Sequence, residues 1–289
     1  MLISTDIGAF MKYGSVKQVL ELIKNAGFDA YDFSFFNNDA AKDYLYADNY
    51  LENARDLRKF ADEIGLICNQ THAVFPAVRL GDDEYNIKMF NDTVKCLEAS
   101  SVLGAKICVV HPCNYGSLET NAEENAEFYL RLLPFAQEYD IKIALENMFQ
   151  RVGEDRHLSD ATCSHHNDFK RHLDLLPEKY FVACVDVGHA NLKCLKTSPA
   201  EMIRCLGNRV CALHLHDNDT ITDSHLLPYT VSVDFNEIVS ALKDINYRGD
   251  ITLEAVSYPS LFPTSVYPEV AELMCAITKY IRSRVIEDE

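Results

Sequence analysis

His72, His111, Glu146, Asp186, His216 and Glu254 each close a short apolar run, in the segments LICNQTH, KICVVH, KIALE, FVACVD, CALHLH and ITLE. An apolar run that ends in a glutamate tends to bury it, and an unpaired buried carboxylate is costly, so Glu146 and Glu254 call for a cation. With Asp186 and His216 they offer three oxygens and one nitrogen. That donor set suits Mn²⁺, Mg²⁺, Co²⁺ or Zn²⁺ and does not suit Cu(I) or an iron–sulfur cluster. Each residue alone has a plainer reading, as a satisfied core histidine or a helix-capping carboxylate. Six such endings in one chain argue for a shared site.

Two local spacings extend the set. In CVDVGHANL, Asp186 and His189 are three apart with Gly188 between them, which predicts a sharp turn that lets either side chain reach a pocket. In ALHLHDND, His214 and His216 fall on one strand face by two-residue alternation. The reading puts His216 at the mouth and His214 a layer deeper, as a hydrogen-bonded support. Asp223 and His225, two apart in TDSHLL, are predicted to bind metal or a substrate hydroxyl, or else to form a plain polar loop.

These residues need elements to bring them together. Eight strand candidates recur along the chain: Leu2 to Ile7, Ala30 to Phe35, Leu66 to His72, Ala105 to His111, Lys142 to Glu146, Phe181 to Val187, Cys211 to His216 and Ile251 to Glu254. Amphipathic segments alternate with them, the pattern of a parallel sheet with crossover helices. SVKQVLELIKNAGF and DFNEIVSALKDINYRG both read as a capped helix stopping on glycine, and Pro134 predicts a kink or break in the segment around it. The final helix should start at Pro268 and end in a solvated charged tail. A long irregular stretch from Met148 to about Ser164 is expected to act as a lid or a substrate-contacting loop, or to be a surface insertion. The prediction is an α/β chain forming a single (β/α)8 TIM barrel over residues 1–289, with the strand ends converging on one mouth.

Composition narrows the function. A net charge of −17, with no Lys/Arg cluster longer than a pair before the last helix, disfavours nucleic acid, whose phosphates require a basic face. No apolar run approaches the length of a membrane span, and the start MLISTDIG resembles neither a secretory nor a transit signal, so a cytoplasmic location is expected. The ten cysteines contain no CxxC pair and are predicted to be free, mostly buried thiols. No glycine-rich phosphate loop is present, so no cofactor-binding site besides the metal is predicted and the substrate need not be phosphorylated.

HAVFPA, VVHP, IALENM, VDVGHANL, HLHDND, the DSHL segment and ITLEAV, in this order, resemble the xylose isomerase-like TIM barrel superfamily over nearly the whole chain. The resemblance implies a sugar isomerase or epimerase acting on a ketose, an aldose or a polyol-derived substrate through an enediolate. It carries the epimerase metal set onto Glu146, Asp186, His216 and Glu254, with the two glutamates as acid and base and His189 on a substrate oxygen. The epimerases usually carry an arginine soon after the histidine of this motif, and DNDTIT has none. Two alternatives follow from the same resemblance. One is dehydration of an inosose or keto-sugar. The other is an endonuclease IV-like multinuclear zinc phosphoesterase, for which His72, His111, His189, Asp223 and His225 would be the further ligands. The sugar reading ranks first, with a small sugar or sugar derivative as the partner and room for a homo-oligomer. Phe10, Phe36, Phe75, Phe149, Tyr258 and Phe262 are candidates for an apolar wall, and Arg151 and Arg156 for gripping an anion.

Overall fold

Two-residue alternation along parallel strands divides this chain's side chains between the inside of a barrel and its helical coat. The computed structural model describes residues 1–117 and 119–286. Its strands are β1 (Ile3–Asp6), β2 (Ala30–Ser34), β3 (Ile67–His72), β4 (Ile107–Val109), β5 (Lys142–Glu146), β6 (Phe149–Val152), β7 (His157–Asp160), β8 (Phe181–Asp186), β9 (Val210–His214) and β10 (Ile251–Leu253). Eight of them form one sheet in the order β10-β1-β2-β3-β4-β5-β8-β9, parallel throughout. The ends meet through a parallel bridge between Leu215 and Leu253, where Glu254 N–H donates to the Leu215 carbonyl at 2.9 Å. The architecture is the expected TIM barrel.

Outward residues such as Ile143, Leu145, Val185, Leu213 and Leu253 join the large core shared with the helices. The inward positions of β4, β5, β8 and β9 hold small apolar side chains, Val109, Ala144, Val182, Cys184 and Ala212, in a cluster of their own. Stepping two residues from that layer toward the strand ends gives His111, Glu146, Asp186 and His214. On the other half of the barrel the same step leads from Gln70 to His72 and from Thr252 to Glu254. The period-2 geometry of a strand thus aims every one of these groups at the mouth.

Local signals in the helices act mostly as expected. Ser15 and Gln18 form a capping box on helix Val16–Ala26, which ends at Gly27 in the left-handed region. Helix Asn121–Glu138 runs through Pro134 without breaking; the carbonyl that Pro134 leaves unpaired is that of Leu130, a residue 43% exposed, so solvent can satisfy it. Helix Phe235–Asp244 stops short of Gly249, and Asn246 takes the left-handed conformation (φ 53°) in place of a glycine. The stretch after β5 is not irregular, because β6 and β7 pair as an antiparallel hairpin. The closing helix spans Tyr267–Ile286, and residues 287–289 of the predicted charged tail lie outside the described residues. All ten cysteines are free and seven are buried. Among the described residues, no helix is long and apolar enough to cross a membrane.

Candidate functional site

The lower part of the mouth is built on Glu146, at the end of β5. Its Oε2 lies 3.0 Å from His111 Nε2 and 3.4 Å from His72 Nε2, and its Oε1 lies 3.2 Å from His214 Nδ1. His214 Nδ1 also faces Glu254 Oε2 at 3.4 Å, so one imidazole nitrogen sits between the two glutamates. Of the two histidines of ALHLHDND, His214 is the one that stands between these two carboxylates. His214 joins Glu146, Asp186 and Glu254 in one group whose candidate ligand atoms lie within 4.8 Å of one another. The reason is register: β9 ends at His214, directly opposite Asp186 on β8, so His214 already stands at the level of the carboxylates.

His216 lies past the strand end and belongs to a second group with His189, Asp223 and His225. Asp186 bridges the two groups, with His216 Nε2 2.9 Å from its Oδ1 and His189 Nδ1 3.7 Å from its Oδ2. Asp223 lies 3.6 Å from His189 Nε2 and 3.1 Å from His225 Nε2, and the His216 and His225 rings stack at 3.8 Å. Gly188 contributes in a different way from the one its sequence position suggests. It sits in a single helical turn, Val187–Ala190, without a positive φ, and a Cβ on it would run into the His216 ring. Its missing side chain makes room for the imidazole.

Two residues that sequence reasoning passed over hold this arrangement. Asn147, immediately after the strand glutamate, pairs both its amide atoms with the Asp186 backbone at 2.8 Å, and its carbonyl lies 2.9 Å from His189 Nδ1. Asp217, fully buried, accepts from the backbone N–H groups of Asn218, Thr230, Val231, Ser232 and Val233, fastening the loop that carries Asp223 and His225. The available signal was a buried-looking polar residue one position beyond each strand-end candidate, in LEN and LHD.

Charge is shared unevenly here. Burial pulls His72 down to about 4, with His111 and His214 adding to the effect against Glu146. Burial also opposes ionisation of Glu146, but the charges of His214 and His111 outweigh it and hold that carboxyl well below its ordinary range. Glu254 goes the other way: burial lifts it well above that range, and the negative charges of Glu146 and Asp186 add to the lift. Burial works against the His225 cation, yet Asp223 and Glu254 raise it to about 9. The buried side-chain atoms without a hydrogen-bond partner include both ring nitrogens of His214, Nδ1 of His72 and of His216, and Oδ1 of Asp223. Orphaned donors of this kind amid clustered carboxylates and imidazoles fit a divalent cation of the hard-to-borderline class.

Above them lies a cavity of about 450 Å³ whose walls include Phe36, Phe75, Phe149, Asn37, Met148 and Val256, with no lysine or arginine among its described lining residues. Three of the six candidate aromatics therefore form the wall. Phe10 is buried against Tyr267, and Tyr258 packs on Phe262 outside the lining. Arg151 lies over the Phe149 ring, 5.7 Å from its centre, and neither it nor Arg156 lines the cavity. A larger hollow of about 530 Å³ between helix Phe235–Asp244 and the closing helix contains none of the strand-end residues, so volume alone does not mark the site.

Known proteins of the same fold supply a context. The family described as xylose isomerase-like TIM barrel matches residues 20–277, and the chain belongs to that family. An uncharacterised protein of Methanocaldococcus jannaschii is 28% identical over 171 residues, 56% of this chain and 56% of the relative's length, so the match spans just over half of that protein. A D-psicose 3-epimerase of Enterocloster bolteae is 24% identical over 252 residues, covering 84% of this chain and 77% of the relative. Among solved structures, a D-tagatose 3-epimerase-like protein superposes with a TM-score of 0.73 at 20% identity, over 99% of this chain and 100% of that one. An IolI protein with a bound zinc atom does so with a TM-score of 0.72 at 18% identity, over 99% and 98%. At these identities the structures speak for the fold.

Proposed function

We propose that this member of the xylose isomerase-like TIM barrel family is a metal-dependent sugar isomerase or epimerase. The observation that carries the reading is the pair Glu146 and Glu254, both buried beside one imidazole and both lining the cavity. Glu146, Asp186, His214 and Glu254 would hold a divalent ion, which supplies polarisation of a substrate carbonyl. Held ionised, Glu146 is suited to take the proton from the carbon beside that carbonyl. Glu254, on the other flank, is suited to return one. His189 and His225 line the cavity and face the substrate hydroxyls, and Phe36, Phe75 and Phe149 cover the apolar face of the sugar ring or chain. The absence of Lys or Arg among the described lining residues favours an uncharged substrate over a phosphate ester.

A second reading has its own observation: His72, His111 and Glu146, and separately His189, His216, Asp223 and His225, also group within ligand range. A multinuclear zinc phosphoesterase would use them as further ion sites. Metal content per chain distinguishes one ion from three. Incubation with a panel of ketoses and aldoses in D₂O tests the first reading, since deuterium should enter the carbon beside the carbonyl. If no sugar in the panel takes up label while the protein cleaves a phosphodiester, the first reading gives way to the second.

A further inference from the structure

The inside of the barrel is polar on one half. Ser4 Oγ donates to Thr252 Oγ1 at 2.9 Å, Thr252 Oγ1 donates to Gln70 Oε1 at 3.2 Å, and Gln70 Nε2 donates to Asp32 Oδ2 at 2.7 Å. All four side chains are buried. Thr252 fixes which end of the Gln70 amide is the oxygen, so its NH₂ group must face Asp32. Thus oriented, the Asp32 carboxylate reaches across from β2 toward β9, where its Oδ2 stands 3.7 Å from His214 Nε2. The other nitrogen of that ring, Nδ1, is the one that faces Glu146 and Glu254.

An imidazole between two sets of carboxylates has to place its protons. If Nδ1 carried the only proton, Nε2 would present a lone pair to Asp32, which is repulsive. With a divalent ion between Nδ1 and the glutamates, the Nδ1 lone pair would face the ion and the ring's one proton would stand on Nε2, on the side of Asp32. A carboxylate behind a ligating histidine sets the tautomer and the ring orientation in this way.

We propose that Asp32 is a positioning residue for the metal centre, fixing His214 with its proton on Nε2 so that Nδ1 is free to ligate, and that the Ser4–Thr252–Gln70 chain holds Asp32 in that role. The inference rests on the metal-centre reading above. Asp32 touches neither substrate nor reacting atoms, and nothing in its sequence context, AYDFS, singles it out.

The full-length protein labelled with ¹⁵N-histidine and loaded with Zn²⁺ tests it through long-range ¹H–¹⁵N correlations, with a chelator competition alongside. In the wild type, His214 should show a protonated Nε2 and a metal-bound Nδ1. Asp32→Asn should shift that Nε2–H resonance and weaken Zn²⁺ binding about 10- to 100-fold, with circular dichroism unchanged. A wild-type spectrum in which His214 Nε2 carries no proton overturns the inference without any variant being needed. So does a folded Asp32→Asn protein with wild-type affinity and an unmoved resonance, and that result leaves the metal centre standing. Failure of the wild type to bind any divalent ion removes both.

Discussion

The side-chain amide of Asn147 clasps the backbone of Asp186: its Oδ1 accepts from the Asp186 N–H and its Nδ2 donates to the Asp186 carbonyl, both at 2.8 Å. The clasp joins the ends of β5 and β8 just where the strand ladder gives out, so the backbone groups of Asp186 are satisfied and its carboxylate is aimed. Asn147→Ala leaves buried polar groups on both sides without partners, at about 1–3 kcal/mol for each group stranded. Denaturant unfolding should show a loss of about 2 kcal/mol or more, and chelator competition a weaker hold on divalent metal. Wild-type values in both measurements would remove Asn147 from the supporting structure.

Glu146→Gln and Glu254→Gln preserve shape and remove a charge. Each should cut deuterium incorporation into a turned-over sugar by at least about 100-fold, the lower end of what a positioned acid or base contributes. Thermal unfolding run in parallel shows whether the barrel survives. Near-wild-type exchange in either variant would unseat that glutamate as a proton carrier.

Gly188 borders the His216 ring so closely that any side chain there displaces it. Since its backbone angles suit any residue, Gly188→Ala should lose about 1–3 kcal/mol through overpacking alone. Removing the ring as well, in Gly188→Ala with His216→Ala, should then cost less than the two single losses added together. Strict additivity would mean that the two positions do not touch.

Asp6 offers a pH test. Burial, with the charge of Asp32 adding to it and hydrogen bonds from Ser34 and Gly8 opposing it, raises this carboxyl from the ordinary 3.8 to about 7. A folded-state value above the unfolded one means that folding takes up a proton between the two. The associated stabilisation is intact below about pH 4 and is lost as pH rises through about 7. Asp6→Asn can keep both hydrogen bonds while carrying no charge, so its stability relative to wild type should climb from pH 4 to 7 and then level off. A difference that stays flat across that window would show that Asp6 ionises freely in the folded protein.

Much of this could be read along the chain. Period-2 runs ending in His, Glu and Asp, separated by capped helices, determined a parallel barrel with its chemistry at the strand ends, because strand and helix periods depend on neighbours a few residues away. The hairpin β6–β7 was hidden because FQRV and HLSD are too short and too polar to announce a strand pair.

What the sequence could not decide was depth. His214 and His216 are equivalent under alternation. Only the register that sets His214 opposite Asp186 puts it between the glutamates, and register is a relation between β8 and β9 that neither strand states alone. The same holds for Asn147, Asp217, Gly188 and Asp32, each of which acts on a residue distant in the chain. Ligand chemistry is a property of residue type, whereas the level at which a side chain meets its partners is set by how eight strands are staggered around the barrel.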